Sequence, residues 1–352
     1  MIDLAELGFA AISAPDPSIH EASCRRLDSL TKPLGALGRL EALAAQICAV
    51  QRTLEPAIVA PVAIVFAADH GVADRGVSAY PRAVTREMVK NFLAGGAAIN
   101  VLARIDGMEL WVVDAGVDGE CAAHARLIDA KIRMGTRDFT AEAAMTAAEC
   151  RAALGAGRRI GAEVSGPRGN ALVLGEMGIG NTASSALLMH ALTGHELPLC
   201  VGRGTGLDDA GLARKQAVLA EAARRVAPPR DPFDLLCEFG GYEIAMLTGA
   251  ILGAASRRQL VLVDGFTVTV AAALAARIDA NALGYCVFGH CSAENAHRAL
   301  LRYLNVLPLL DLGMRLGEGS GAALALPLVR AALALFRRMA TFEGAGVSQK
   351  IA

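Results

Sequence analysis

Short apolar runs recur along the chain, and each is followed by glycine or an acid and then by a segment with helical periodicity. Six such runs are present, at positions 62–67, 110–113, 171–174, 199–201, 260–263 and 285–288. The alanine-rich segments between them, at 85–105, 207–227 and 242–257, carry apolar residues at helical spacing. Strands that alternate with helices imply right-handed crossovers and a sheet covered on both faces. The sequence therefore predicts an α/β fold with a doubly wound, mostly parallel six-stranded sheet of the Rossmann-like type.

The two ends of the chain differ from this pattern. Residues 18–30 and 38–52 resemble two helices, and 295–352 is helical around a glycine-rich interruption at 317–321. We expect these ends to pack together as a small helical subdomain beside the sheet. The predicted division is an α/β substrate-binding and catalytic domain over 58–295, and a helical subdomain from 1–57 plus 296–352 that contributes the loop of Glu318.

Composition excludes several classes of protein. The formal net charge is -1 and aromatic residues make up only 4%, which argues against a nucleic-acid partner. Each long apolar stretch is interrupted by a charge or a proline, so no membrane span of about 20 clean residues is expected. The N-terminus shows no signal-peptide pattern, and the eight cysteines form no Cys-x-x-Cys pair. We therefore expect a cytoplasmic protein with free thiols.

Polar and glycine-rich segments follow the predicted strands almost one for one. They lie at 68–81, 175–182, 202–206, 264–267 and 289–294. In an open parallel sheet, ligands bind outside the carboxyl ends of the strands, where such loops collect. Five loops at one predicted edge indicate a binding site there.

Two of these loops have the chemistry of an anion site. In 175–182, the glycines allow close approach of backbone N–H groups, and the following helix adds a partial positive charge at its start. Glu176 does not fit a pure phosphate cradle, because its carboxylate would repel phosphate. The loop 202–206 adds Arg203 but lacks the Gly-Lys-Ser/Thr of a Walker loop, and no dinucleotide fingerprint is present. Lys215 is either a phosphate ligand or a solvated helix charge, and spacing alone leaves both open.

Several single residues are further candidates. Glu318, between two glycines, is either a functional acid on an exposed turn or a cap of the helix that follows. His70 and His290 lie where they could contact a substrate, but no histidine or cysteine has the spacing of a metal site. Asp264 is a lone acid at a strand end, whereas transferases that use phosphoribosyl pyrophosphate usually carry two adjacent acids there. A glycosyl donor that is already activated, with no metal or other cofactor, fits better.

Taken together, these motifs resemble one family almost end to end: the nicotinate-nucleotide–dimethylbenzimidazole phosphoribosyltransferases of cobalamin lower-ligand biosynthesis. The shared motifs are Thr-Lys-Pro-Leu-Gly at 31–35, Ala-Asp-His-Gly-Val at 68–72, Gly-Val-Ser-Ala-Tyr-Pro at 76–81, Gly-Glu-Met-Gly-Ile-Gly-Asn-Thr at 175–182, Gly-Arg-Gly-Thr-Gly at 202–206, Asp-Gly-Phe at 264–266, Gly-His-x-Ser-Ala-Glu at 289–294 and Gly-Glu-Gly-Ser-Gly at 317–321.

The resemblance implies transfer of phosphoribose from nicotinate mononucleotide to 5,6-dimethylbenzimidazole, giving α-ribazole 5′-phosphate and nicotinate with inversion at the anomeric carbon. It implies that Glu318 is the general base and that Glu176 is a second carboxylate near the reacting centre. The acceptor base would be bound by Ser78, Tyr80, Arg86, Met177 and Leu316. The nucleotide and its phosphate would be bound by Gly178, Gly180, Asn181, Gly202, Arg203, Gly204, Lys215, Asp264 and Ser292.

The resemblance also implies a homodimer, with small molecules as the other partners. Arg86 stands where a smaller or uncharged polar group is expected beside the acceptor, which leaves open the selectivity for dimethylbenzimidazole over benzimidazole, adenine or phenols. Two alternatives stay open beside this function. One is a phosphoribosyltransferase with another donor, such as phosphoribosyl pyrophosphate, or another acceptor base. The other is a non-catalytic nucleotide-binding protein on the same scaffold.

Overall fold

The computed structural model describes residues 11–227 and 231–348. Six strands form one sheet: β1 Val62–Ala68, β2 Glu109–Gly116, β3 Leu127–Asp129, β4 Ala171–Met177, β5 Leu260–Val263 and β6 Cys286–Phe288. The helices are α1 Pro17–Ser29, α2 Arg39–Gln51, α3 Ala83–Ala94, α4 Ala98–Ile105, α5 Ala147–Glu163, α6 Asn181–Thr193, α7 Leu197–Cys200, α8 Asp209–Arg225, α9 Pro232–Phe239, α10 Tyr242–Ser256, α11 Phe266–Ile278, α12 Asn295–Tyr303, α13 Ser320–Arg338 and α14 Phe342–Ala345. Two short 3₁₀ helices span Gly71–Arg75 and Ala280–Tyr285.

The sheet has the strand order β3-β2-β1-β4-β5-β6, and every pairing in it is parallel. From β1 the chain continues to β2 and β3 on one side of that strand, and it then crosses to β4, β5 and β6 on the other side. The strand order therefore reverses between β1 and β4, which is where a doubly wound sheet opens a crevice for ligands. The predicted α/β, six-stranded, doubly wound fold is confirmed.

Alternate residues of each strand face opposite layers of helices. Ile64 and Leu174 belong to one hydrophobic cluster with the apolar sides of α5, α6, α10 and α11. Val65 and Val173 belong to a second cluster with α2 and α13. The central strands are buried on both faces, which explains why they appear in the sequence as continuous apolar runs and not as alternating ones.

The helices of the two chain ends meet. Leu30, after α1, forms an isolated bridge with Thr341, and the Arg26 guanidinium lies 5.2 Å from the ring centroid of Phe336. Helices α2 and α13 belong to the cluster of Val65 and Val173, on one face of the sheet. Helix α12 belongs to the cluster on the other face. The division into domains at 58 and 295 stays a prediction.

The structure differs in detail from the sequence prediction at three places. The run 199–201 is not a strand, because residues 199 and 200 belong to the short helix α7, which has Pro198 in its first turn, and Cys200 is buried in the helical layer. The sixth strand is β3, which has only three residues, none of them fully buried, at the sheet edge. The segment 85–105 is two helices, since Gly95 takes a left-handed conformation with φ +82° and ends α3.

Helices α5 and α10 cross in backbone contact. A Cβ built on Gly157 would overlap the Met246 carbonyl oxygen, and one built on Gly249 would overlap the Leu154 carbonyl oxygen. Gly161 and Gly253 meet the opposite backbone in the same way. The absence of side chains at these four positions therefore sets how closely the two helices pack.

Helix α13 alone, among the described residues, is long and apolar enough to cross a membrane by length and composition. Its Val329, Leu333 and Phe336 are buried in the cluster that covers the sheet. It packs as a core helix of the fold.

Candidate active site

A cleft lies at the carboxyl edge of the sheet, where β4, β5 and β6 run into their loops. Its empty volume, which includes its open mouth, is about 610 Å³. Among the residues singled out in the sequence, eight line it: Glu176, Met177, Gly178, Asn181, Gly204, His290, Ser292 and Leu316. A larger groove, of about 1180 Å³, lies beside β6, but Arg39 is the only charged residue among its lining residues. The site residues predicted from the sequence are therefore concentrated at the cleft and not in that groove.

Glu176 lies inside β4, and not in the loop after it as the sequence suggested. The Asn181 side-chain amide donates a hydrogen bond to its Oε2. Burial, followed by the negative charges of Asp264 and Glu243, raises the pKa of Glu176 to about 8. At neutral pH this side chain is mostly a protonated acid, which donates a hydrogen bond instead of carrying a charge.

Glu318 occupies a turn in which three successive residues have left-handed backbone conformations, with φ +85° at Gly317, +65° at Glu318 and +89° at Gly319. A non-glycine residue rarely adopts this conformation, and strain of this kind is often found at functional sites. Glu318 is only 6% exposed, and its Oε2 is buried without a hydrogen-bond partner. The sequence suggested an exposed turn, so this expectation was wrong.

Two opposing effects act on the Glu318 carboxyl. Burial raises its pKa and the charge of Asp264 adds to the rise, whereas hydrogen bonds from the backbone of Ile99 and Ala98, at the start of α4, lower it. The net direction is upward, as a general base near neutral pH requires. Glu318 itself does not line the cleft, but its neighbour Gly317 does.

Asp264 is the residue that caps α13. Its carboxylate accepts hydrogen bonds from the backbone N–H groups of Gly319 at 3.1 Å, Gly321 at 2.7 Å and Ala322 at 3.0 Å. Gly319 is the N-cap residue of α13, and no side chain of the turn caps the helix itself. The alternative in which Glu318 is only the cap of this helix is therefore wrong. Asp264 is fully buried and fixes the turn that carries Glu318.

Lys215 is fully buried, so the solvated helix charge that spacing left open is ruled out. Its ammonium donates hydrogen bonds to the Thr182 hydroxyl at 2.8 Å and to the Gly202 carbonyl at 3.2 Å. Burial lowers its pKa to about 8, and the charge of Glu294 acts in the opposite direction. Lys215 thus lies behind the glycine loop and acts on the cleft as a buried cation.

Several other predicted residues do not line the cleft. Arg203 is half-exposed, ion-pairs with Asp209 and donates to the Leu207 carbonyl at 2.9 Å. Gly180 and Gly202 lie in the loops beside the cleft without lining it. Ser78, Tyr80 and Arg86 lie on the segment after β1: Tyr80 is 51% exposed, and the Arg86 guanidinium lies against Gly119.

Three functional candidates were missed or left unassigned. His70 and Glu243 form a fully buried pair at 2.6 Å beneath the loop at Gly178, beside the point where the strand order reverses. A lone glutamate in the apolar run of α10 was the available signal, because a buried charge needs a partner. Glu294 lies in a motif quoted above, yet its side chain was given no role. Within 11–227 and 231–348, no group of three or more histidine, cysteine or acidic residues is arranged to hold a metal ion.

Comparison with known proteins agrees with this geometry. A family model described as a phosphoribosyltransferase matches residues 12–347. Relatives named nicotinate-nucleotide–dimethylbenzimidazole phosphoribosyltransferase occur in Cupriavidus taiwanensis, at 53% identity over 97% of this chain and 98% of the relative, and in Dechloromonas aromatica, at 53% identity over 96% and 98%. The crystal structure of CobT from Thermus thermophilus matches with a TM-score of 0.91 and 42% identity, over 95% of this chain and 100% of that one. The chain therefore belongs to the nicotinate-nucleotide–dimethylbenzimidazole phosphoribosyltransferase family and is a phosphoribosyl-transferring enzyme.

Proposed function

We propose that this enzyme transfers phosphoribose from nicotinate mononucleotide to 5,6-dimethylbenzimidazole and inverts the anomeric carbon from β to α. An unprotonated nitrogen of the acceptor attacks the anomeric carbon, and the bond to nicotinate breaks with its electron pair returning to the pyridinium nitrogen. The acceptor's ring N–H proton passes to Glu318. The pyridinium ring of the donor is already cationic, so the departure of nicotinate requires no acid.

The observation that carries the assignment of Glu318 is its buried oxygen without a partner, held in a left-handed Gly-Glu-Gly turn. Asp264 ties this turn to the end of β5, so the carboxyl is positioned before substrate arrives. A positioned base of this kind contributes roughly 100-fold to 10,000-fold in rate.

Glu176 has a different role in this proposal. Because its pKa is about 8, it is mostly neutral at pH 7 and orients a ribose hydroxyl by a hydrogen bond. The positive pyridinium ring of the bound donor, and then the oxocarbenium character that develops at the sugar, lowers that pKa and favours ionisation. The two acids thus divide the work into proton removal and positioning of the sugar.

Most of the remaining predicted residues complete the proposed site, and contacts of Gly202, Arg203 and Asp264 with the nucleotide stay predictions. The acceptor contacts Met177 and Leu316 on the cleft wall, with Ser78, Tyr80 and Arg86 on the segment after β1. The 5′-phosphate binds the loop amides of Gly178, Gly180 and Gly204, together with Asn181 and Ser292, and Lys215 supplies positive charge from behind. A homodimer and a cytoplasmic location stay predictions.

The test is release of nicotinate and formation of the base ribotide, measured with wild type and Glu318→Gln without added metal. We expect stoichiometric products from wild type and a loss of at least roughly 100-fold in kcat for the variant. Glu343→Gln, which removes an exposed carboxylate in α14, is the matched control and should keep the full rate. No product from wild type would mean that the donor or the acceptor is wrong. A near-normal rate in Glu318→Gln would refute the role of the base and direct attention to Glu176.

A further inference from the structure

Glu294 has a side chain that its own helix does not use. It is the N-cap residue of α12, but it makes no side-chain cap there. Its carboxylate instead takes a hydrogen bond from the backbone N–H of Gly204 and lies against Gly202, where a Cβ would overlap its Oε2. Glu294 is 9% exposed and lines the cleft. The missing side chain at Gly202 therefore makes room for this carboxylate and not for a ligand.

The charges around Glu294 are those of an anion site. Lys215 and Arg315 both attract its carboxylate. Arg315 also donates to the Gly204 carbonyl at 3.2 Å, and Lys215 donates to the Gly202 carbonyl. Lys215 has no ion-pair partner within 4.0 Å among the residues described, so Glu294 acts on it across a gap.

The proposed function assigns the same groups to the substrate's phosphate. If the Gly204 N–H donates to a phosphate oxygen, it cannot also donate to Glu294 at full strength. A dianion and a carboxylate in one cradle also repel each other, and inside a cleft this repulsion is worth far more than in bulk water. Both anions cannot occupy the cradle together.

We propose that Glu294 is a resident anion, which fills the phosphate cradle of the free enzyme and is displaced by a phosphate monoester dianion. This inference rests on the proposed function, because it requires that the loop 202–206 binds the 5′-phosphate. In the free enzyme the carboxylate keeps the loop ordered and balances the buried charge of Lys215. When the nucleotide binds, its phosphate takes over both tasks and Glu294 turns towards the open mouth of the cleft.

The experiment is calorimetric titration of inorganic phosphate, nicotinate mononucleotide and nicotinate riboside into wild type and Glu294→Gln at pH 7, where Lys215 keeps its charge. We expect the variant to bind inorganic phosphate and the nucleotide roughly tenfold more tightly, because an internal competitor is removed. Affinity for the riboside, which has no phosphate, should not change. The control is Glu196→Gln, which removes an exposed carboxylate before α7 and should leave all three affinities unchanged. Equal or weaker phosphate binding by Glu294→Gln overturns the proposal.

Two further measurements separate the possible failures. Lys215→Met should lose phosphate binding; if wild type itself binds no phosphate, the cradle and the proposed function fail together. If wild type binds phosphate and only the gain in Glu294→Gln is absent, the resident anion alone is refuted. A wild-type crystal soaked in phosphate, which does not depend on the folding of any variant, should show the Glu294 carboxylate moved off the Gly204 amide. Phosphate bound with that contact intact overturns the proposal.

Discussion

Two regions of this enzyme use glycines for opposite reasons. Between α5 and α10, Gly157 and Gly249 bring backbone against backbone, and any side chain would strike a carbonyl oxygen. At the cleft, Gly202 leaves room for the end of a flexible side chain, the carboxyl group of Glu294. The first region uses glycine to pack the fold, and the second uses it to place charges. What a glycine contributes is thus decided by whether its neighbour can move.

The largest expected effect comes from testing the packed pair. Gly157→Ala should lower the free energy of unfolding by about 3 kcal/mol or more, because the Met246 carbonyl cannot retreat without separating two helices. Gly155→Ala, two residues away in the same helix, is the matched control. Its Cβ would meet only the Arg159 Nη1, at 4.0 Å, so it should be neutral or stabilising by about 0.5–1 kcal/mol. Denaturant unfolding of both variants measures the difference. Equal losses of stability would show that close backbone contact with α10 is not what makes Gly157 important.

An intermediate effect is expected where the cleft stores unfavourable charge. Glu176 has a folded-state pKa of about 8, above its unfolded value, so its contribution to stability is complete at low pH and is lost as pH rises towards 8. Glu176→Gln does not titrate. Relative to wild type, it should therefore gain about 2.5 kcal/mol of stability between pH 5 and pH 7. Chemical denaturation at both pH values tests this, and a constant difference would show that the folded-state pKa is not raised.

The smallest effect on stability is expected at the cleft glycine. Gly202→Ala should change the free energy of unfolding by less than about 1 kcal/mol, because the Glu294 carboxyl can turn away. The KM for nicotinate mononucleotide should shift all the same, since the cradle has changed. Steady-state kinetics measure the KM, and thermal unfolding measures the change in stability. A loss as large as that expected for Gly157→Ala would mean that the loop is as rigid as the helix pair.

The fold could be predicted from the sequence because strands buried on both faces are continuous apolar runs. That signal fails for short elements. Two half-buried residues and one exposed residue in β3 show no pattern, and the run at 199–201 is as apolar as a strand although a short helix with Pro198 in its first turn ends there. The length of such a run does not tell a strand from a helix, because the elements that pack against it decide which of the two forms.

The candidate site could be predicted as far as its loops, since the topology brings the carboxyl ends of parallel strands together. Contacts between residues that are distant in the sequence could not be predicted. Glu243 meets His70 across 173 positions, and Asp264 holds amides more than 50 positions away. A strand-end acid such as Asp264 is typical of a nucleotide ligand, and local sequence does not show that its carboxylate also accepts hydrogen bonds from three backbone amides. Local sequence shows that an acid is present, and only the fold shows its partner.

The three hydrogen bonds from the α13 turn to Asp264 also have a consequence for how this chain can vary over generations. They fasten Glu318 to the end of β5, although β6 and α12 lie between the two in the chain. The coil before Glu318 is bonded to the loop after β6 through the backbone of Leu310 and Met314, and Leu312 between these two residues is exposed. Insertions and deletions around Leu312 should therefore be inherited without loss of the chemistry. They would reshape the wall of the cleft while leaving the acid in place.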